Sequence, residues 1–166
     1  MSVVARLTDE QFLRLPDEAG KQELLDGELI SLPPAKRLHL LISTNFYELL
    51  RTVLPKGSVL SEAGFQLRRG WLQPDVSVIW PDQPQGEWFE GAPMIAIEIA
   101  SRGNTDEEID RKVEAYLAEG AAEVWIVHPK TASMTVFRKD SVARITGEYY
   151  CEILNLSIDV PALLCV

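Results

Sequence analysis

Two acidic residues stand where buried apolar strands are expected. Asp75 follows Pro74 and opens the run Val76, Val78, Ile79, Trp80, and Glu98 lies 23 positions on, inside Met94-Ile95-Ala96-Ile97-Glu98-Ile99-Ala100. A carboxylate out of water is strongly destabilised unless a cation or hydrogen-bond donors compensate it. Two strands that each carry one inward acid point to a shared divalent ion, because Mg²⁺ and its relatives prefer hard oxygen ligands. The two-residue period of a strand puts Asp75, Ser77 and Ile79 on one face and Met94, Ala96, Glu98 and Ala100 on one face, so adjacent strands in suitable register would bring the acids together.

The elements that must position these strands can be read from periodicity. Thr8-Asp9-Glu10-Gln11 has capping-box spacing ahead of Phe12 and Leu15, which predicts a short helix from about Asp9 that stops before Pro16. Asp26-Gly27, between the short runs 22–25 and 28–32, is a hairpin signal. Pro33-Pro34 breaks the second run. A long helix is expected over about 35–53, with Leu38, Leu41, Ile42, Leu49, Leu50 and Val53 on one stripe and Phe46 close by.

Three strands are then expected over 59–67, 71–80 and 94–100. Thr105 and Glu108 have capping-box spacing for a second helix that Gly120 ends; its apolar stripe is Ile109, Val113, Tyr116 and Leu117, and Lys112 borders it. A buried strand, Val124-Trp125-Ile126-Val127, follows at once. Strand, helix and strand with short connections imply a right-handed parallel crossover. Runs near 133–138 and 149–154 should extend the sheet at an edge, and the apolar end 162–166 either covers the core or makes a dimer contact.

A length of 166 residues suits one domain, expected to span 1–166 with a core over about 7–129 and a sheet extension and tail over 130–166. With 46% hydrophobic and 25% charged residues, widespread disorder is not expected. Apolar runs are too short for a membrane span, and Asp9 and Glu10 stand where a signal peptide would need cationic and then apolar residues, so a cytoplasmic protein without a membrane partner is expected. Cys151 and Cys165 read as reduced, partly buried hydrophobes. A net charge of -9 argues against a passive nucleic-acid-binding module, but bound cations and local basic pairs such as Lys36-Arg37 and Arg68-Arg69 can reverse the field where a phosphate sits. The four tryptophans are too scattered for a base-stacking platform and are expected in the core or an interface.

In order, the informative stretches are Glu23-Leu-Leu-Asp-Gly27-Glu28, His39 opening the long helix with Asn45 and Leu49-Leu50, Gln73-Pro74-Asp75-Val76, Glu98-Ile-Ala-Ser101, and Asn104 through Lys112 with Tyr116, Gly120 and Trp125-Ile-Val-His-Pro129. With them the chain resembles the PD-(D/E)XK nuclease superfamily, and within it the Uma-type restriction endonuclease family, from about Leu7 to Pro129. The resemblance implies an α/β, restriction-endonuclease-like αβββαβ core with a mixed sheet flanked by helices. It further implies that Asp75, Glu98 and the backbone carbonyl of Ile99 hold Mg²⁺ or Mn²⁺ and that DNA is the substrate; a homodimer is then expected, since cutting two strands with one hydrolytic site per subunit needs two sites, though nicking would need only one. Glu23 occupies the position of an additional ligand, and His39 that of a phosphate contact or proton carrier.

The chain departs from the family pattern in three places. The superfamily lysine, two residues after the second acid, is Ala100 here, and Lys112 is its natural replacement, to orient water or neutralise the transition state. The competing reading of Lys112 is a solvated partner of Glu108 at four-residue spacing. Arg102-Gly103 stands where small polar residues are usual, and His128, where Asp is common, reads as structural. Beside the endonuclease stand two other classes of function: a nuclease fold without activity that serves in nucleic-acid or protein interaction, and a metal-dependent hydrolase of small phosphate esters.

Overall fold

The computed structural model describes residues 6–16 and 20–166. Helix α1 (Asp9–Leu13) begins at the Thr8 and Gln11 capping box. Strands β1 (Lys21–Leu25) and β2 (Glu28–Leu32) form a hairpin through Asp26 and Gly27, whose φ angles of 53° and 82° are those the tightest two-residue turn needs. The long helix α2 (Arg37–Val53) follows. Next come β3 (Val59–Ser61), β4 (Phe65–Leu67), β5 (Gly70–Leu72), β6 (Val76–Val78), β7 (Phe89–Glu90) and β8 (Ile95–Ile99). Helix α3 (Asp106–Ala118) starts at the Thr105 and Glu108 capping box and leads into β9 (Glu123–His128). A single 3₁₀ turn, Pro129–Thr131, precedes β10 (Ser133–Arg138), β11 (Ser141–Ile145), β12 (Glu148–Cys151), β13 (Leu156–Asp159) and α4 (Val160–Leu164).

Two principal sheets result. One has the order β11-β10-β9-β8-β6-β3, and the other β2-β1-β5-β4-β7. The helix, three strands, helix and strand of the expected core are α2, β3, β6, β8, α3 and β9, with β8 and β9 parallel across the α3 crossover. The continuous strands expected over 59–67 and 71–80 are each broken in two, and their halves belong to different sheets. Glu62, with φ of 50°, turns the first, and Pro74, which has no amide to give a ladder, interrupts the second. Asp75 therefore lies at the seam where the chain passes from one sheet to the other.

Both faces of β8 and β9 are covered, as a parallel pair requires. Ile95, Ile97, Ile99, Trp125 and Val127 pack with Ile42, Phe46 and Leu50 of α2, while Ala96, Val124 and Ile126 pack with Val113 and Tyr116 of α3 and Leu25 and Phe65 of the second sheet. The buried stripe of α2 is centred on Ile42, Phe46 and Leu50; Leu38, Leu41 and Val53, expected on it, are exposed because the sheet meets α2 along a narrower strip than the helix's apolar arc.

The 133–138 run extends the six-stranded sheet, but the later run does not: β12 pairs only with β13, in a separate ribbon. Leu163 and Leu164 of α4 pack on the core beside α2, and Asn45 Nδ2 donates to the Leu163 carbonyl at 2.9 Å, so the apolar end serves as a cover. Cys151 is buried as expected, whereas Cys165, just past the end of α4, is exposed. Trp125 lies in the core against Phe46 and Tyr149, and Trp71 is buried edge-on to Trp88. Among the described residues no helix is long and apolar enough to cross a membrane.

Candidate active site

The register of β6 on β8 pairs Val76 with Ile97, so one step outward Asp75 lies across from Glu98 on a shared face. Asp75 is fixed there by the Ile99 amide, which donates to Oδ2 at 2.7 Å. Both acids are buried, at 3% and 8% exposure. Both line a groove.

Lys112 and Tyr116, one turn apart on α3, both reach Glu98 Oε1, at 2.9 and 3.0 Å. Lys112 Nζ also lies 2.7 Å from Glu23 Oε2, a charge-on-charge contact with no aligned hydrogen bond on that oxygen. The other oxygen of Glu23 accepts from the Gln73 amide at 2.8 Å. Lys112 is thus a buried ammonium between two glutamates. The surface pairing with Glu108 is overturned, because Glu108 is occupied in capping its own helix at Thr105.

Lys21 completes the cluster. Two positions before Glu23 on β1, it shares Glu23's face, and its Nζ lies 2.9 Å from the Gln73 carbonyl, 3.1 Å from Asp75 Oδ1 and 3.8 Å from Glu98 Oε2. Sequence reasoning missed it, although the two-residue spacing to Glu23 was the available signal. His39, in the first turn of α2, brings Nε2 to 3.1 Å from Asp75 Oδ1. All five side chains expected at the site, Glu23, His39, Asp75, Glu98 and Lys112, therefore meet. His128 also lines the groove, with Nε2 3.1 Å from the Thr135 hydroxyl.

Burial opposes every charge in this cluster, and the compensation differs from group to group. Burial alone would raise the Asp75 carboxyl, but the His39 hydrogen bond, the Lys21 charge and the Ile99 amide hold it well below the usual carboxylate range. At Glu98 burial prevails, with Glu23 and Asp75 adding repulsion that Lys112 and Lys21 only partly offset, so its carboxyl is pushed up. Burial works against both ammonium groups, yet Glu98 and then Glu23 outweigh it and raise Lys21 and Lys112. Tyr116 is driven well above its ordinary value, by burial first and Glu98 second. The two lysines consequently act as cations and donors, and neither is a base.

The cluster forms part of the floor of a groove of about 1240 Å³ whose rim carries Lys36, Arg102 and Lys130, all exposed. Of the basic pairs expected near a phosphate, Lys36 lines this groove; Arg68 and Arg69 do not, being paired with Glu119 and Asp26. Ala100, in the superfamily's lysine position, is part of the groove wall. Among the described residues no group of three or more His, Cys, Asp and Glu side chains is arranged to hold a metal ion, since Glu23 is turned to Lys112 and the Gln73 amide.

Residues 9–158 match the model of the Uma2 family, described as "Putative restriction endonuclease". The chain belongs to this family. The Uma2 match runs past Pro129, where the motifs legible in the sequence stop, and takes in β10 to β12. A crystal structure of a "putative nuclease belonging to DUF820" from Anabaena variabilis ATCC 29413 is similar at a TM-score of 0.84 and 20% identity, over 95% of this chain and 97% of that one. At that identity the likeness shows the fold, which is restriction-endonuclease-like. No curated protein matches the chain.

Proposed function

We propose that this chain is a Mg²⁺- or Mn²⁺-dependent endonuclease that hydrolyses phosphodiester bonds of DNA as a homodimer. The observation that carries this reading is the meeting of Asp75 and Glu98 across β6 and β8 in a cation-rimmed groove, with the Lys112 ammonium on the same glutamate. The donor set suits a hard divalent ion, which commonly takes one or two carboxylates and completes its shell with water and substrate phosphate. The Lys21 ammonium, between Asp75 Oδ1 and Glu98 Oε2, marks a point where positive charge is stabilised.

Asp75, Glu98 and the Ile99 carbonyl would hold the ion, which when bound supplies an activated water and stabilises charge on a phosphate oxygen. Lys112 stays protonated and offers N–H donors to the attacking water or to the charge that develops on the phosphate. Glu23 holds Lys112 at 2.7 Å, and Tyr116 fixes Glu98 Oε1, so both position other groups. His39 Nε2 lies 3.1 Å from Asp75 Oδ1 at the groove, where the imidazole would serve as proton carrier to the leaving oxygen. The methyl group of Ala100 has none of this capacity, and α3 delivers to Glu98 Oε1 the ammonium that the strand lacks.

The test is incubation of supercoiled plasmid with the purified protein and Mg²⁺ or Mn²⁺. Nicked or linear DNA is expected, with activity abolished in Asp75→Ala and Glu98→Ala and lowered on the order of 10²-fold in Lys112→Met. Linear product without a build-up of nicked circles is the signature of two sites in a homodimer. Equal cleavage by the Asp75 and Glu98 variants would reject the assignment.

A further inference from the structure

The two acids that would hold a divalent ion, Asp75 and Glu98, already share a cation. Lys21 Nζ lies 3.1 Å from Asp75 Oδ1 and 3.8 Å from Glu98 Oε2, and the Gln73 carbonyl holds it at 2.9 Å. This is no loosely tethered surface lysine. Its side chain is only 12% exposed, and the start of β1 is fixed by Gly20, whose φ of +111° brings it so close to the Leu32 carbonyl that an added Cβ would sit 2.2 Å from that oxygen.

The two lysines divide Glu98 between them. Lys112 and Tyr116 take Oε1 from the α3 side, at 3% side-chain exposure for the lysine, and Lys21 takes Oε2 from the groove side. Without Lys21, Glu23, Asp75 and Glu98 would confront one another with Lys112 and His39 as their only basic partners among the described residues, a costly arrangement for buried carboxylates. A divalent ion and an ammonium cannot both sit between the same two carboxylates, because they repel at contact distance and compete for the same lone pairs.

We propose that Lys21 is the resident counter-ion of the metal slot, which a divalent ion must expel into the groove before Asp75 and Glu98 can receive it. This rests on the assignment of those two acids as metal ligands. Lys21 then holds the metal-free site together at the expense of metal affinity, and Lys112 stays in place in both states. The expelled ammonium has somewhere to go, since Lys21 lines the groove with His39 and Lys36.

The experiment uses Mn²⁺ alone, without nucleic acid. Calorimetric titration of the wild-type protein and Lys21→Met is expected to show at least tenfold tighter binding by the variant; equal or weaker binding overturns the proposal. A second arm needs no substitution. Brief acetylation read by peptide mass spectrometry should label Lys21 slowly in metal-free protein and several-fold faster at saturating Mn²⁺, while Lys112 stays protected; unchanged Lys21 labelling overturns the proposal, and this arm decides alone if Lys21→Met does not fold. Mn²⁺ binding that Asp75→Ala abolishes but Lys21→Met leaves unchanged removes the counter-ion role and keeps the metal site. No heat with either protein at millimolar Mn²⁺ removes both.

Discussion

Glu98 and Glu123 are both glutamates sunk into strands of one sheet, and the donors around each decide what it can do. Glu123 is closed off: Trp125 Nε1 donates to Oε2 at 2.7 Å, Arg138 Nε to Oε1 at 2.8 Å, and the Tyr149 hydroxyl approaches both oxygens at 2.8 Å. Glu98 keeps one oxygen toward the groove, with only an ammonium 3.8 Å away. Glu123→Ala is expected to leave the buried Trp125 Nε1 without its acceptor and lower stability by about 1–3 kcal/mol, read as a reduced urea midpoint. A shift of only a few tenths would mean that Trp125 Nε1 is satisfied by something else. Asp75 and Glu98 were legible because each interrupts an apolar run, and Lys112 because it borders a helical stripe. Lys21 was not, since it stands at the very start of a strand among polar neighbours. Glu123 was hidden for another reason: the groups that justify its burial come from 15 and 26 positions away.

The β1–β2 hairpin and α3 carry opposite halves of the site, Lys21 and Glu23 on one and Lys112 and Tyr116 on the other, and a charged cluster at the hairpin's tip joins them. Asp26 takes both Nε and Nη2 of Arg69, at 2.8 and 2.7 Å, while Arg111 of α3 reaches Asp26, Glu28 and the Leu25 carbonyl. The bidentate hydrogen bonds of Arg69, with Arg111 behind them, lower the Asp26 carboxyl from 3.8 to about 2. A group with a depressed folded-state pKa contributes stability above its unfolded value and loses that contribution as pH falls toward the folded one. The difference in urea midpoint between wild type and Asp26→Asn, a residue that also tolerates the positive φ, is therefore expected to be steady near neutral pH and to close between about 3.8 and about 2. A pH-independent difference would assign the effect to the turn rather than to the carboxylate. The hairpin, the capped helices and the crossover were legible because their signals are local: Asp-Gly and two capping boxes. The breaks after Ser61 and before Asp75 were not, because period-two alternation runs through both and the change of sheet depends on partners distant in sequence. Strands β11 and β13 and helix α4 escaped notice since their apolar positions are few or follow turns with no Asn-Gly or Asp-Gly signal.

At the scale of the whole molecule, a net charge of -9 must be reconciled with the polyanionic substrate proposed for the chain. The long-range field repels DNA, so binding would depend on where the chain places its exposed cations, and Lys36, Arg102 and Lys130 line the same groove as Asp75 and Glu98. Each phosphate neutralised by such a side chain releases condensed counter-ions, which makes affinity fall with salt in proportion to the number of contacts. Three contacts give a slope of log affinity against log salt of about −2.7 on a duplex and about −2.1 on a single strand. Fluorescence anisotropy with labelled oligonucleotides in EDTA measures that slope without cleavage. Lys36→Ala, Arg102→Ala and Lys130→Ala are each expected to bring it closer to zero by about 1, with unfolding midpoints unchanged because all three side chains are exposed. The Ala substitutions also remove charge from a protein already strongly negative, so a weaker affinity alone would not place DNA in the groove; the salt slope does, because it counts contacts rather than net charge. Slopes left unchanged by all three substitutions would put the nucleic acid on another face, away from Asp75 and Glu98.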